Sequence, residues 1–147
     1  MEKSKIGRKV WATNDNGIIL NKENPALIVG IKPAKSVNDF CDHVVLRLNG
    51  KLFEEREYRC IFILEETDDA SSDINNYLGA NGMYADDVYI NSEGSARVEI
   101  SWGDWKHEHM WCDILMRHIG YKSDGEEVTD EDGSDCYSAI HFYSKVA

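Results

Sequence analysis

The chain lacks the sequence signatures by which the common catalytic and cofactor sites are known. It has no G-x-S-x-G nucleophile elbow, no G-x-x-x-x-G-K-[ST] phosphate loop and no G-x-G-x-x-G dinucleotide turn. This removes the commonest routes to an enzyme without excluding one. No apolar run approaches the roughly 18 residues that a membrane-spanning helix needs. The stretch Met1 to Lys9 is charged and leads into no apolar core, so no secretory signal is expected there. Cysteines are few and scattered. Cys41, Cys60, Cys112 and Cys136 form no C-x-x-C pair, which argues against a zinc ribbon or a thioredoxin-like dithiol. Each lies beside apolar or aromatic residues, as buried reduced thiols of a cytoplasmic protein do, although an even count leaves two disulfides open.

Positive charge is scarce in the second half. Residues 1–67 hold eleven Lys and Arg against ten Asp and Glu, whereas residues 68–147 hold five against seventeen. A near-neutral half joined to a strongly acidic one points to two differently built parts. It also argues against the acidic half lying on phosphate backbones, where Lys and Arg supply the attraction. Lys3, Lys5, Arg8 and Lys9 are the residues a nucleic-acid binder would use, but the net charge of −11 opposes that reading. What the chain does have is a hydrophobic content of 42% in 147 residues, enough for one core or two small ones.

The first half reads as short strands. Lys9–Thr13 alternates, Asn14–Gly17 is turn chemistry, and Ile18–Leu20 resumes the strand. Ala26–Ile31 is a nearly continuous apolar run. Ser36 to Cys41 suits one helical turn. His43–Leu48, Asn49-Gly50 and Lys51–Tyr58 form the clearest hairpin, since Asn-Gly is a preferred centre of a type I′ turn. Arg59–Glu65 is a further strand. These residues predict a small antiparallel curled sheet or an SH3-like barrel over residues 1–66.

The polar stretch Glu66–Ser72 reads as a linker. Residues 73–147 then predict an acidic α+β part of order β-β-α-β, which leaves open a single continuous domain. Asp73 is expected to cap a short helix through Leu78, ended by Gly79. Val88–Ile90 and Arg97–Trp102 flank a turn at Asn91–Ala96, with Val98, Ile100 and Trp102 on one face. The best-specified helix runs from an Asp104 cap to Gly120. Trp105, Cys112, Leu115, Met116 and Ile119 form its apolar stripe, with Trp111 at the edge, so it should lie on an antiparallel sheet. Lys122–Asp135 reads as an acidic loop and Cys136–Val146 as the last strand.

Two candidate sites follow. The first is the carboxylate group Asp124, Glu126, Glu127, Asp130, Glu131 and Asp132, all expected in one loop. It would present an acidic surface to a basic protein partner. The second is a metal site. His107 and His109 point about 200° apart on a helix and cannot share an ion, but His109 and Asp113, at i and i+4, share a face. Asp135 or His141 would have to complete the set across elements. The loop Asp130–Asp135 fails the EF-hand pattern, because Gly falls at its fourth position. Cys112 lies on the apolar stripe, where a thiolate is disfavoured, so it is a poor nucleophile. The expected function is therefore a non-catalytic cytoplasmic interaction or regulatory protein, with no cofactor and no membrane partner. The alternative is a metal-dependent enzyme or metal-binding protein with its site between helix 104–119 and the last strand.

Overall fold

The computed structural model describes residues 5–14, 18–35, 41–102, 105–130 and 137–146, without the side chains of 102, 105–109, 129, 130 and 137. The chain divides into two compact units, Met1–Ile63 and Leu64–Ala147. It is an α+β protein with two antiparallel sheets and two helices.

The first unit is a five-stranded meander made of β1 (Lys9–Ala12), β2 (Ala26–Lys32), β3 (His43–Leu48), β4 (Lys51–Arg56) and β5 (Cys60–Phe62). Their order is β4-β3-β2-β1-β5. Asn49 and Gly50 take φ of 53° and 78°, the left-handed pair that a type I′ turn requires, and they set the β3–β4 register from Leu48–Lys51 to His43–Arg56. A bulge between Ile28 and Gly30 bends β2. Val10, Ile28, Val44, Leu46 and Ile61 fill the core. Inside it, buried Asn21 accepts from Ala12 N (2.8 Å) and donates to Asn24 O (3.1 Å), so its amide is satisfied by backbone.

No closed barrel is found among the described residues. Among the described residues β4 and β5 are the outer strands and do not pair, so the sheet is open. A 3-10 turn at Glu57–Arg59 directly follows β4, and β5 is left only three residues long. Such a short strand pairs with β1 on one side and stops.

Across β2, β3 and β4, Glu54 holds Lys32 Nζ at 3.1 Å and His43 Nδ1 at 2.8 Å. The bonds from Lys32, then from His43, keep its carboxyl below the ordinary value of 4.5. A depressed carboxylate stabilises the fold above its unfolded pKa, and that contribution is lost as pH falls through the folded value. The first unit should therefore lose stability on acidification below about pH 4.5. Glu54→Gln should flatten this part of an acid-unfolding curve; an unchanged curve would assign the acid sensitivity elsewhere.

The second unit runs α1 (Ala70–Ala80), β6 (Asp87–Ile90), β7 (Ala96–Trp102), α2 (Trp105–His118), β8 (Tyr121–Asp130), β9 (Tyr137–Lys145). Its order is α-β-β-α-β-β, not β-β-α-β, and the sheet order is β6-β7-β9-β8. Two features differ from the sequence reading: the start of the first helix, expected at Asp73, and the acidic loop, which adds a strand. Ala70–Ser72, read as linker, begin α1, whose cap is Asp69, accepting from Ser72 N (3.1 Å), rather than Asp73. Asp73 instead is buried and accepts from both N and Oγ1 of Thr67 at 2.6 Å. Gly79 stays helical, and Gly82 at φ 81° follows the helix end. The second feature is the acidic loop: most of it is β8, whose register against β9 runs from Tyr121–Lys145 to Asp130–Tyr137.

Both helices belong to one face of this sheet. Tyr77 Oη of α1 donates to Leu115 O of α2 at 2.7 Å, and Trp111 Nε1 of α2 donates to Asn81 O at 2.8 Å. Cys112, Leu115 and Met116 are buried as the stripe requires, and Ile119 is half-buried. Trp105 and His107 lie outside the described side chains. Gly120, at φ 92°, follows α2. No helix among the described residues is long and apolar enough to cross a membrane.

Cys41 and Cys60 are half-buried and Cys112 is buried; all three are free, and Cys136 lies outside the described residues. Burial pushes the Cys60 and Cys112 thiols up to about 12. Both stay protonated near neutrality and are weak nucleophiles. In a thiol-reagent titration of the native protein at pH 8, Cys112 should stay unmodified until denaturant is added. Prompt labelling of Cys112 would show that α2 lifts from the sheet.

Candidate functional site

The faces of the second sheet follow from its register, since residues directly opposite in antiparallel strands share a face. On the helix side lie Val88, Val98, His141 and Glu126 in one row, and Ile90, Ala96, Tyr143 and Ser123 in the next. The opposite face carries Asp87, Glu99, Ile140 and Glu127 in one row and Tyr89, Arg97, Phe142 and Gly125 in the next. Asp87 and Tyr89 are exposed, as are Arg97 and Glu127, while Ile140 and Phe142 are half-buried. Among the described residues this face has no helix on it, and it gathers charge and aromatic surface together.

The second row is hollow. Gly125, opposite Phe142, brings no side chain and stands at φ 118°, next to a register shift between Ser123 and Gly125. An added Cβ there would meet nothing within 4 Å. Along the same strands lies a recess of about 280 Å³ lined by Tyr89, Asn91, Arg97, Asp124 and Phe142 among others. Asp124, in the bulge, accepts a hydrogen bond from Ser144 Oγ, which fixes its carboxylate at the recess. Arg97 sits on the Tyr89 ring, its Cζ 5.5 Å from the centroid. Asn91 shapes the β6–β7 turn by accepting from Glu93 N and Ser95 N, each at 2.9 Å.

The six carboxylates expected in one loop do not form one surface. Asp124 and Glu127 face the recess side, whereas Glu126 turns to the helix side and lies 3.5 Å from Nδ1 of fully buried His141. Asp130 ends β8, with its side chain outside the described ones, and Glu131 and Asp132 lie outside the described residues.

Of the metal candidates, His109 lies on α2 with its side chain undescribed, and Asp135 is outside the described residues. Asp113 accepts from Tyr143 Oη at 2.6 Å, and that oxygen is 3.3 Å from Cys112 Sγ. His141 stands against Glu126. Burial, with Cys112 and Asp113 beside it, raises the Tyr143 phenol far above its ordinary value, so it serves as a hydrogen-bond donor. No group of three His, Cys, Asp or Glu among the described residues is arranged to hold an ion. Of the basic residues near the N-terminus, Lys5 Nζ and Arg8 Cζ each sit 4.7 Å from the Phe62 ring centroid. Lys9 is exposed, and Lys3 is outside the described residues.

Sequence reasoning missed Asp87, Tyr89, Glu99 and Phe142 as a surface. The alternation in β7 and β9 was a visible signal, because every second residue had to face away from the apolar side. No protein-family model, curated protein or solved structure matches the chain.

Proposed function

We propose that this protein is a non-catalytic interaction or regulatory protein of the cytoplasm that presents an acidic surface to a basic protein partner. One observation carries the reading. Asp87 stands directly opposite Glu99 across β6 and β7, and Glu127 lies in the same row beyond Ile140. Like charges facing each other across strands destabilise a sheet by roughly 0.2–1 kcal/mol. A row that works against its own sheet is accounted for by what it meets outside. The exposed Asp124 and Glu127 of β8 extend the same negative surface to the edge of the sheet. The first unit, a five-stranded meander with a 3-10 turn before its last strand, belongs to the same proposal as a small SH3-like module.

The test is capture of partners from host-cell lysate on the immobilised full chain at low and high salt. A basic protein retained at low salt and released at high salt is the expected result, because exposed charges are screened over about 8 Å at physiological ionic strength. A partner whose retention ignores salt, or the absence of any basic partner, overturns the reading.

A further inference from the structure

We infer that the recess between Tyr89 and Phe142 is the specific seat of this surface, and that it takes an arginine side chain of the basic partner. The inference rests on the acidic-surface reading and adds the group recognised. Four observations converge. The recess, at about 280 Å³, is slightly below the roughly 300–1,000 Å³ of small-molecule sites, which suits one long side chain. Its walls supply the two elements a guanidinium uses, an aromatic ring from Phe142 and a carboxylate from Asp124. Arg97 already rests on Tyr89, so this face accommodates a guanidinium on a ring, while no cation is seated on Phe142 among the described residues. The neighbouring row adds Asp87, Glu99 and Glu127, so carboxylates on the open face outnumber the cations Arg97 and Lys122. A planar, weakly hydrated guanidinium profits from ring and carboxylate at once; a lysine ammonium offers no plane to stack.

Ser144 holds the Asp124 carboxylate in place before a ligand arrives, which lowers the ordering cost on binding.

The experiment is an NMR titration of the isotope-labelled full chain with tri-arginine, tri-lysine and tri-glutamate peptides. Tri-arginine should shift the amide signals of Tyr89, Arg97, Asp124 and Gly125, and should bind a few-fold more tightly than tri-lysine. Phe142→Leu should weaken tri-arginine binding about 2- to 10-fold, as loss of a cation–π contact does. Asp124→Asn, which keeps an acceptor for Ser144, should weaken both basic peptides. If Phe142→Leu fails to fold, Tyr89→Leu and Asp124→Asn decide the matter by the same shifts. Binding of tri-arginine that ignores all three substitutions and perturbs only the Asp87–Glu99–Glu127 row overturns the recess and leaves the acidic-surface reading standing. No response to either basic peptide overturns both. Shifts of the recess signals by tri-glutamate would make Arg97 an anion receptor and overturn the assignment.

Discussion

Leu115→Ala lowers the stability of the second unit by about 2–5 kcal/mol. Leu115 is fully buried, and its helix is held to α1 by the Tyr77 bond to the Leu115 carbonyl. That bond uses the backbone and survives the substitution, so α2 stays in place and the lost side chain leaves a cavity. Removal of apolar contact and retention of the void then add, because the surroundings collapse only in part. Arg117→Ala, on the exposed side of the same helix, should change stability by under about 0.5 kcal/mol. Because the chain has two units, hydrogen exchange of the α2 amides is the suitable measurement; a bulk unfolding curve would mix both. Equal effects of the two substitutions would mean that α2 does not bury this face.

Neutralising the acidic row, by Asp87→Asn, Glu99→Gln and Glu127→Gln together, should slow association with a poly-lysine peptide by about tenfold or more at low ionic strength. The effect should shrink as salt shortens the screening length from roughly 30 Å at 0.01 M to about 8 Å at physiological strength. Stability should move the other way. The substitutions relieve the repulsion of Asp87 against Glu99, so the second unit should be equally or slightly more stable. Slower binding with undiminished stability separates a lost docking surface from a damaged fold. Unchanged stopped-flow association rates at every salt concentration would remove the row from any binding role.

Several elements were plain in the sequence because their causes are local. Asn49-Gly50 announces its hairpin, since few other pairs accept two successive positive φ values. The stripe Cys112, Leu115 and Met116 announces α2, and Gly120 follows its end. β8 was not legible, because Tyr121–Asp130 has the composition of a loop and no apolar alternation. It becomes a strand because β9 offers a long alternating partner. The start of α1 was misplaced for a related reason. Asp69 and Asp73 are both good capping residues, and only the tertiary bonds from Thr67 draw Asp73 inward.

The site was legible as charge but not as geometry. Glu126 and Glu127 are adjacent in sequence yet end on opposite faces, which follows only once β8 is a strand. The placement of Asp124 depends on the irregularity between Ser123 and Gly125, for which one glycine is too common a signal. The row Tyr89, Arg97 and Phe142 draws on three strands, one of them separated in sequence from the other two by α2 and β8. No local pattern sets that register.

The carboxylates of β8 have a second consequence, for how copies of the protein meet one another. An outer strand of ten residues presents a row of peptide groups on which another chain's strand could grow. Here that rim bears Asp124, Glu126, Glu127 and Asp130, with a kink at Gly125. Two such rims approaching in solution bring like charge against like charge and mismatched pleats against each other. Among the described residues the longest outer strand is thereby guarded against pairing with its own kind.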